Sequence, residues 1–145
     1  MGKAIAGVIV GYITMFAVVF VGLSGAYFAM GDSGAYAAGT FEVSMAWIAV
    51  ASVVGLVAAF LGAMVCHKIS GAKKPVLVLA GLVFVLGIMM AIPTIGVEPP
   101  TEARTPDTPM MEAMMNSWRP AWTAFLDPIL SLVGIGAFLA WRKPD

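Results

Sequence analysis

Charge is what this chain has least of. Only 11% of its residues are Asp, Glu, Lys or Arg, against roughly 25% in ordinary soluble domains, and acids and bases cancel to a formal net charge of zero. Such a balance offers no electrostatic footprint for nucleic acid, which is not expected as a partner. Cysteine is reduced to Cys66 and histidine to His67. A single cysteine excludes an internal disulfide and a four-cysteine metal site. A single histidine excludes a bis-histidine haem within one chain. Cys66 and His67 adjoin, but they lack the further ligands that zinc requires and the C-x-x-C-H context of attached haem. They are read as a buried apolar residue beside an imidazole among headgroups. The chain also has no G-x-S-x-G, H-E-x-x-H, P-loop or dinucleotide fingerprint. No catalytic residue, metal or cofactor is expected, and the chain is read as non-enzymatic.

What is present instead is apolar. Hydrophobic residues make up 61% of the 145 residues, and mean hydropathy is +0.96. The stretch from Pro75 to Val97 contains no charge at all, with lysines just before it and a glutamate just after. Its length suits a transmembrane helix, which needs about 20 apolar residues. Three further runs of this kind complete an expectation of four spans, at about 4–30, 43–66, 75–97 and 120–141. The fold class follows: an all-α integral membrane protein, one domain over 1–145, with four transmembrane helices in an antiparallel bundle. The first run is far longer than the 7–15-residue core of a secretory signal and is read as a retained span.

Orientation follows from where the bases fall. Lys3, Lys68, Lys73, Lys74, Arg142 and Lys143 collect on one side, whereas Arg104 and Arg119 stand alone on the other among six acids. Both termini are therefore expected in the cytoplasm, most naturally of a bacterial inner (plasma) membrane, with the lipid bilayer as the first partner.

The outer loop, 98–119, changes character. Its first part is rich in proline and charge; from Thr108 and Pro109 a short helix to about 119 is predicted, with an N-cap and an N1 proline. Helical spacing gathers Met110, Met111, Met114, Met115 and Trp118 on one arc, the pattern of an amphipathic helix lying in the membrane surface. Thioethers are also soft copper ligands, but four methionines on the lipid-facing arc read as packing. Trp47, near the outer end of span 2, reads as an interfacial anchor.

Two sets of residues carry candidate functions. Gly7 and Gly11 form a G-x-x-x-G, and Gly55 and Gly62 lie one heptad apart; small residues let helices approach closely in lipid. They predict packing against a sister helix or against another copy of the chain. Asp127 is the only acid within an apolar span, and an ionisable group there is a functional hypothesis by default. Followed by Pro128, it also has the form of an N-cap and N1 pair, so a break or kink is predicted at 127–128. Ser24, Tyr27, Ser44 and Thr94 fall at a similar depth. With Asp127 they outline an outward-facing polar vestibule. Two functions are open: a non-catalytic accessory or scaffold subunit, homo-oligomeric or part of a larger complex, and a small transporter or ion-conducting oligomer using Asp127.

Overall fold

The apolar runs become long helices, and a few residues that stop a helix set their ends. The computed structural model describes residues 1–37, 39–99, 101, 103 and 109–142, with only the backbone of Asp32, Met110 and Met114. Helix α1 covers Gly2–Ala35, α2 Met45–Ser70, α3 Lys73–Ala91, α4 Met110–Met115 and α5 Ala121–Trp141; a 3₁₀ turn occupies Ile92–Thr94. Four segments, Gly2–Gly31, Met45–Ser70, Lys73–Thr94 and Ala121–Trp141, are long and apolar enough to cross a membrane. At about 1.5 Å per residue the shortest covers roughly 31 Å, and a bilayer's hydrocarbon core is about 30 Å.

Gly31 interrupts α1 with φ 71° and ψ 175°, a backbone state that only glycine adopts cheaply. The last turn of α1 is thereby swung aside, and Ala35 and Tyr36 become buried with Ala113 of α4. Ser44 caps α2, accepting from the Trp47 N–H at 3.1 Å and donating to the Gly34 carbonyl. At the other end Gly71 takes the left-handed conformation and bonds back to the His67 carbonyl, which ends the helix in the usual glycine manner.

Helix α2 is the element the others lean on. Its buried face is small: Ala58, Ala59, Gly62, Ala63 and Cys66. Helix α1 lies along one side of it and α5 along the other, while α5 also packs on α3. A Cβ at Gly11 would stand 2.9 Å from the Gly62 carbonyl oxygen, and one at Gly7 2.8 Å from that of Cys66. Gly7 and Gly11 are thus engaged within the chain. Gly134 of α5 approaches the Leu56 carbonyl equally closely, and Gly87 of α3 receives the Pro128 ring. Leu79, Ile135, Val76 and Phe138 fill the space between. Outside, Ile5, Ile9, Ile13, Phe16 and Phe20 form an exposed apolar stripe along α1, with Phe16 68% exposed. Its steps of three and four residues keep it on one face, and so large an apolar surface marks an interaction site or lipid.

Contacts also gather the charges. Gly7 meets Ser70, Ala4 and Ile5 lie beside Lys74 and Pro75, and the His67 ring stands edge-on to Phe138 at 6.0 Å. The N-terminus, the α2–α3 turn and the end of α5 therefore share one end of the molecule, with Lys3, Lys68, Lys73 and Lys74 exposed there. Lys143 and Arg104 lie outside the described residues.

Several expectations are corrected. Span 2, placed at 43–66, runs on to Ser70, because nothing in His67-Lys68-Ile69-Ser70 breaks a helix before Gly71; the turn shrinks to Gly71 and Ala72. Span 3, placed at 75–97, leaves the α-helical form at Ala91, and it is Pro93, expected to kink or stop the helix, that tightens the chain into the 3₁₀ turn. No helix starts at Pro128: α5 passes through it unbroken from Ala121, the ring being seated on Gly87. His67 is buried against Phe138 rather than set among headgroups. A side chain at Gly55 would meet open space, so Gly55 packs no helix within the chain.

Gly11→Leu and Gly62→Leu are expected to destabilise the chain by about 1–3 kcal/mol through overpacking, whereas Gly55→Leu is expected to stay within about 0.5 kcal/mol of the parent. Unfolding in mixed detergent micelles measures the difference.

Candidate functional site

At the end opposite the lysines, the connecting segments fold onto the helix ends. The backbone of Trp118 is held from both sides: its N–H donates to the Phe41 carbonyl and its carbonyl accepts from Val43, each at 2.9 Å. The indole Nε1–H donates to the Val97 carbonyl at 3.0 Å. Three loops are tied together at one residue. Trp118 is therefore not on the methionine arc. Helix α4 stops at Met115, two residues short of it, and beyond the Asn116–Ser117 turn the chain is extended. Of the arc, Met111 and Met115 are exposed; the Met110 and Met114 side chains lie outside the described residues. The residue that faces inward from α4 is Ala113.

Arg119, next along the chain, reaches Asp127. Its Nη1 donates to Asp127 Oδ2 at 2.7 Å, a charge-assisted contact at the short end for N–H···O. The two side chains are 45% and 47% exposed. The Asp127 carbonyl accepts from the Ser131 hydroxyl at 3.0 Å. Asp127 sits six residues into α5, about 9 Å along the axis. The acid that stood out in the sequence has a counter-ion, and sequence reasoning missed it.

Three cavities adjoin this pair, and Arg119 and Asp127 line all of them. The first, about 290 Å³, lies toward α2 and is bordered by Tyr36, Trp47, Ser52 and Thr123. The second, about 410 Å³, lies toward α3 and is bordered by Gly87, Thr94 and Ser131. The third, about 190 Å³, reaches inward between α1 and α2 past Leu23 and Gly55 to Met15. All three lie around the same pair at the loop end of the four long helices.

The expected vestibule residues divide. Asp127 and Thr94 border this space. Ser44 does not, since its hydroxyl is committed to the cap of α2. Tyr27 packs edge-on against Tyr36 and Trp47, with ring centroids at 6.5 and 6.2 Å, and lines none of the three cavities; neither does Ser24. Trp47 is half-buried in that aromatic group. Tyr36 and Ser117 border the first cavity as well, and four further hydroxyls belong: Ser52, Thr94, Thr123 and Ser131. Each donates to its own helix or turn, to the carbonyls of Ile48, Ala91, Pro120 and Asp127 at 2.8, 2.6, 2.6 and 3.0 Å. With their protons used in this way, these hydroxyls offer lone pairs to the cavities. A signal for Ser131 was present in the sequence: it is one helical turn from Asp127.

Among the described residues no group of three His, Cys, Asp or Glu side chains converges as a metal site. No family model, curated protein or solved structure matches this chain.

Because the Arg119–Asp127 pair is half exposed, Asp127→Asn or Arg119→Gln is expected to cost only about 0–1 kcal/mol of stability. The loop should be the part that responds. Limited proteolysis is expected to cut the segment 109–119 faster in either variant, with the helical core left intact.

Proposed function

We propose that the chain is a non-catalytic component of a bacterial inner membrane, crossing it four times as an antiparallel bundle with both termini in the cytoplasm. Its role on this reading is that of an accessory or scaffold subunit. The observation that carries it is the outer cap: Phe41, Val43, Val97 and Trp118 lock three connecting segments together, and the Arg119–Asp127 pair fastens them to α5. A small membrane protein that fixes its outer loops this firmly presents a shaped surface to something beyond itself. The short helix Met110–Met115, with Met111 and Met115 outward, would lie at the membrane surface as part of that contact. The orientation is supported by the exposed lysines at the opposite end. The apolar stripe Ile5–Phe20 would face lipid or a neighbouring subunit. Gly7 and Gly11 are not candidates for that contact, since α2 already occupies them.

A second reading, a small transporter or ion-conducting oligomer, is favoured by a different observation: Asp127 borders three cavities and its side chain is close to half exposed. The readings separate on purification. In a gentle detergent, a stoichiometric larger partner identified by mass spectrometry is the outcome expected of a subunit; a chain that emerges alone or only with its own copies overturns that role. Reporter fusions in the Gly71–Ala72 turn and at the C-terminus should both report the cytoplasm, and one inserted at 109–119 the opposite compartment. Fusions in the turn and the tail that disagree would overturn the four-span layout.

A further inference from the structure

We infer that the space around Arg119 and Asp127 is a binding site for a small zwitterion whose opposite charges sit a few atoms apart, of the α-amino-acid type. The inference rests on the second reading above, and it names the ligand chemistry that this reading leaves open.

The argument starts from the pair itself. Arg119 uses one Nη and Asp127 one carboxylate oxygen in their contact, whereas a full fork-to-carboxylate pairing uses two parallel bonds. Arg119 keeps further N–H donors and Asp127 its second oxygen, on side chains that are close to half exposed. A simple anion entering the second cavity toward Arg119 would meet the Asp127 carboxylate there, together with the lone pairs of Thr94 and Ser131. A simple cation approaching Asp127 would meet the guanidinium. A zwitterion laid head to tail against the pair meets neither obstacle. Its carboxylate takes the remaining guanidinium donors. Its ammonium, with three donors and no acceptor, takes Asp127 Oδ1 and the hydroxyl lone pairs, which are the acceptors this site is rich in.

Size and setting agree. Cavities of about 290 and 410 Å³ stand at the small end of the roughly 300–1,000 Å³ range of small-molecule pockets, which suits a metabolite and excludes a polymer. Apolar walls such as Leu23, Val83 and Leu126 lower the local dielectric, which strengthens paired charges relative to water. They also give an aliphatic side chain somewhere to rest. A zwitterion adds no net charge to a site that has none.

The test is calorimetric titration of the purified chain in detergent micelles, with L-alanine and L-leucine as probes and propionate and ethylamine as analogues carrying one charge each. Saturable binding of at least one amino acid is expected, with both analogues at least about tenfold weaker, and with Arg119→Gln and Asp127→Asn each losing at least about tenfold. Propionate or ethylamine binding as tightly as the amino acids would overturn the inference in favour of a single-charge site. Absence of saturable amino-acid binding across the millimolar range would overturn it outright. The analogue series is read on the unaltered chain, so it decides even where a variant fails to fold. Micelles expose both ends of the protein to buffer, so a failed titration bears on the ligand, and the reporter fusions bear separately on sidedness.

Discussion

The close approach of α1 to α2 at Gly11 and Gly62 is the contact from which the rest of the structure follows. Between helices surrounded by lipid there is no hydrophobic gain from burying one leucine against another, since the surrounding chains are equally apolar. What remains is van der Waals packing, and it becomes strong only where backbones come near each other. Helix α2 supplies a face of alanine, glycine and cysteine for this purpose. It is used twice, by the glycines of α1 on one side and by Gly134 of α5 on the other. Because α5 is drawn against α2 in this way, its proline can rest on Gly87 of α3, and Asp127, one residue earlier, is placed beside the space at the loop end.

How far all this can be read from residues alone depends on which physical signal each feature leaves. The spans were legible because charge is nearly absent and therefore punctuates: Lys73 and Lys74 open α3, and Arg142 follows α5. The ends were less legible, since Ser70 and Lys68 are compatible with helix or turn, and only Gly71 in the left-handed state decides. The methionine arc shows a different failure. A helical projection continues through any sequence it is given, but the Asn116–Ser117 turn ends the helix, and Trp118 then finds backbone partners in the 36–44 segment. No local pattern announces a bond whose other half lies 77 residues away, from Trp118 to Phe41.

The polar site failed in the same way, by azimuth rather than depth. Ser24, Tyr27 and Ser44 are near the right height, but height leaves open which way a side chain points around its helix. Ser44 turns to its own cap and Tyr27 to Tyr36 and Trp47. Thr94 is oriented by the 3₁₀ turn at Pro93 and Ser131 by its position one turn from Asp127, and these two do border the cavities. Arg119 was hidden because it precedes Pro120, outside the helical register that was used to relate residues to Asp127.

That last residue changes what the acid means. A lone carboxylate inside a span costs on the order of 2.5–3.5 kcal/mol on insertion scales, and such a cost invites either neutralisation by a proton or permanent pairing. Arg119 provides the pairing from a loop, not from a facing helix, and that loop is itself held, since the neighbouring Trp118 is bonded to Phe41, Val43 and Val97. With the two side chains 45% and 47% exposed, each partner keeps donor or acceptor positions outside the pair. Were both halves on helices in the apolar core, separating them would leave an unpaired buried charge, at about 3–5 kcal/mol. The arrangement therefore suits a pair that stays closed while its unused donor and acceptor positions face the cavities beside it.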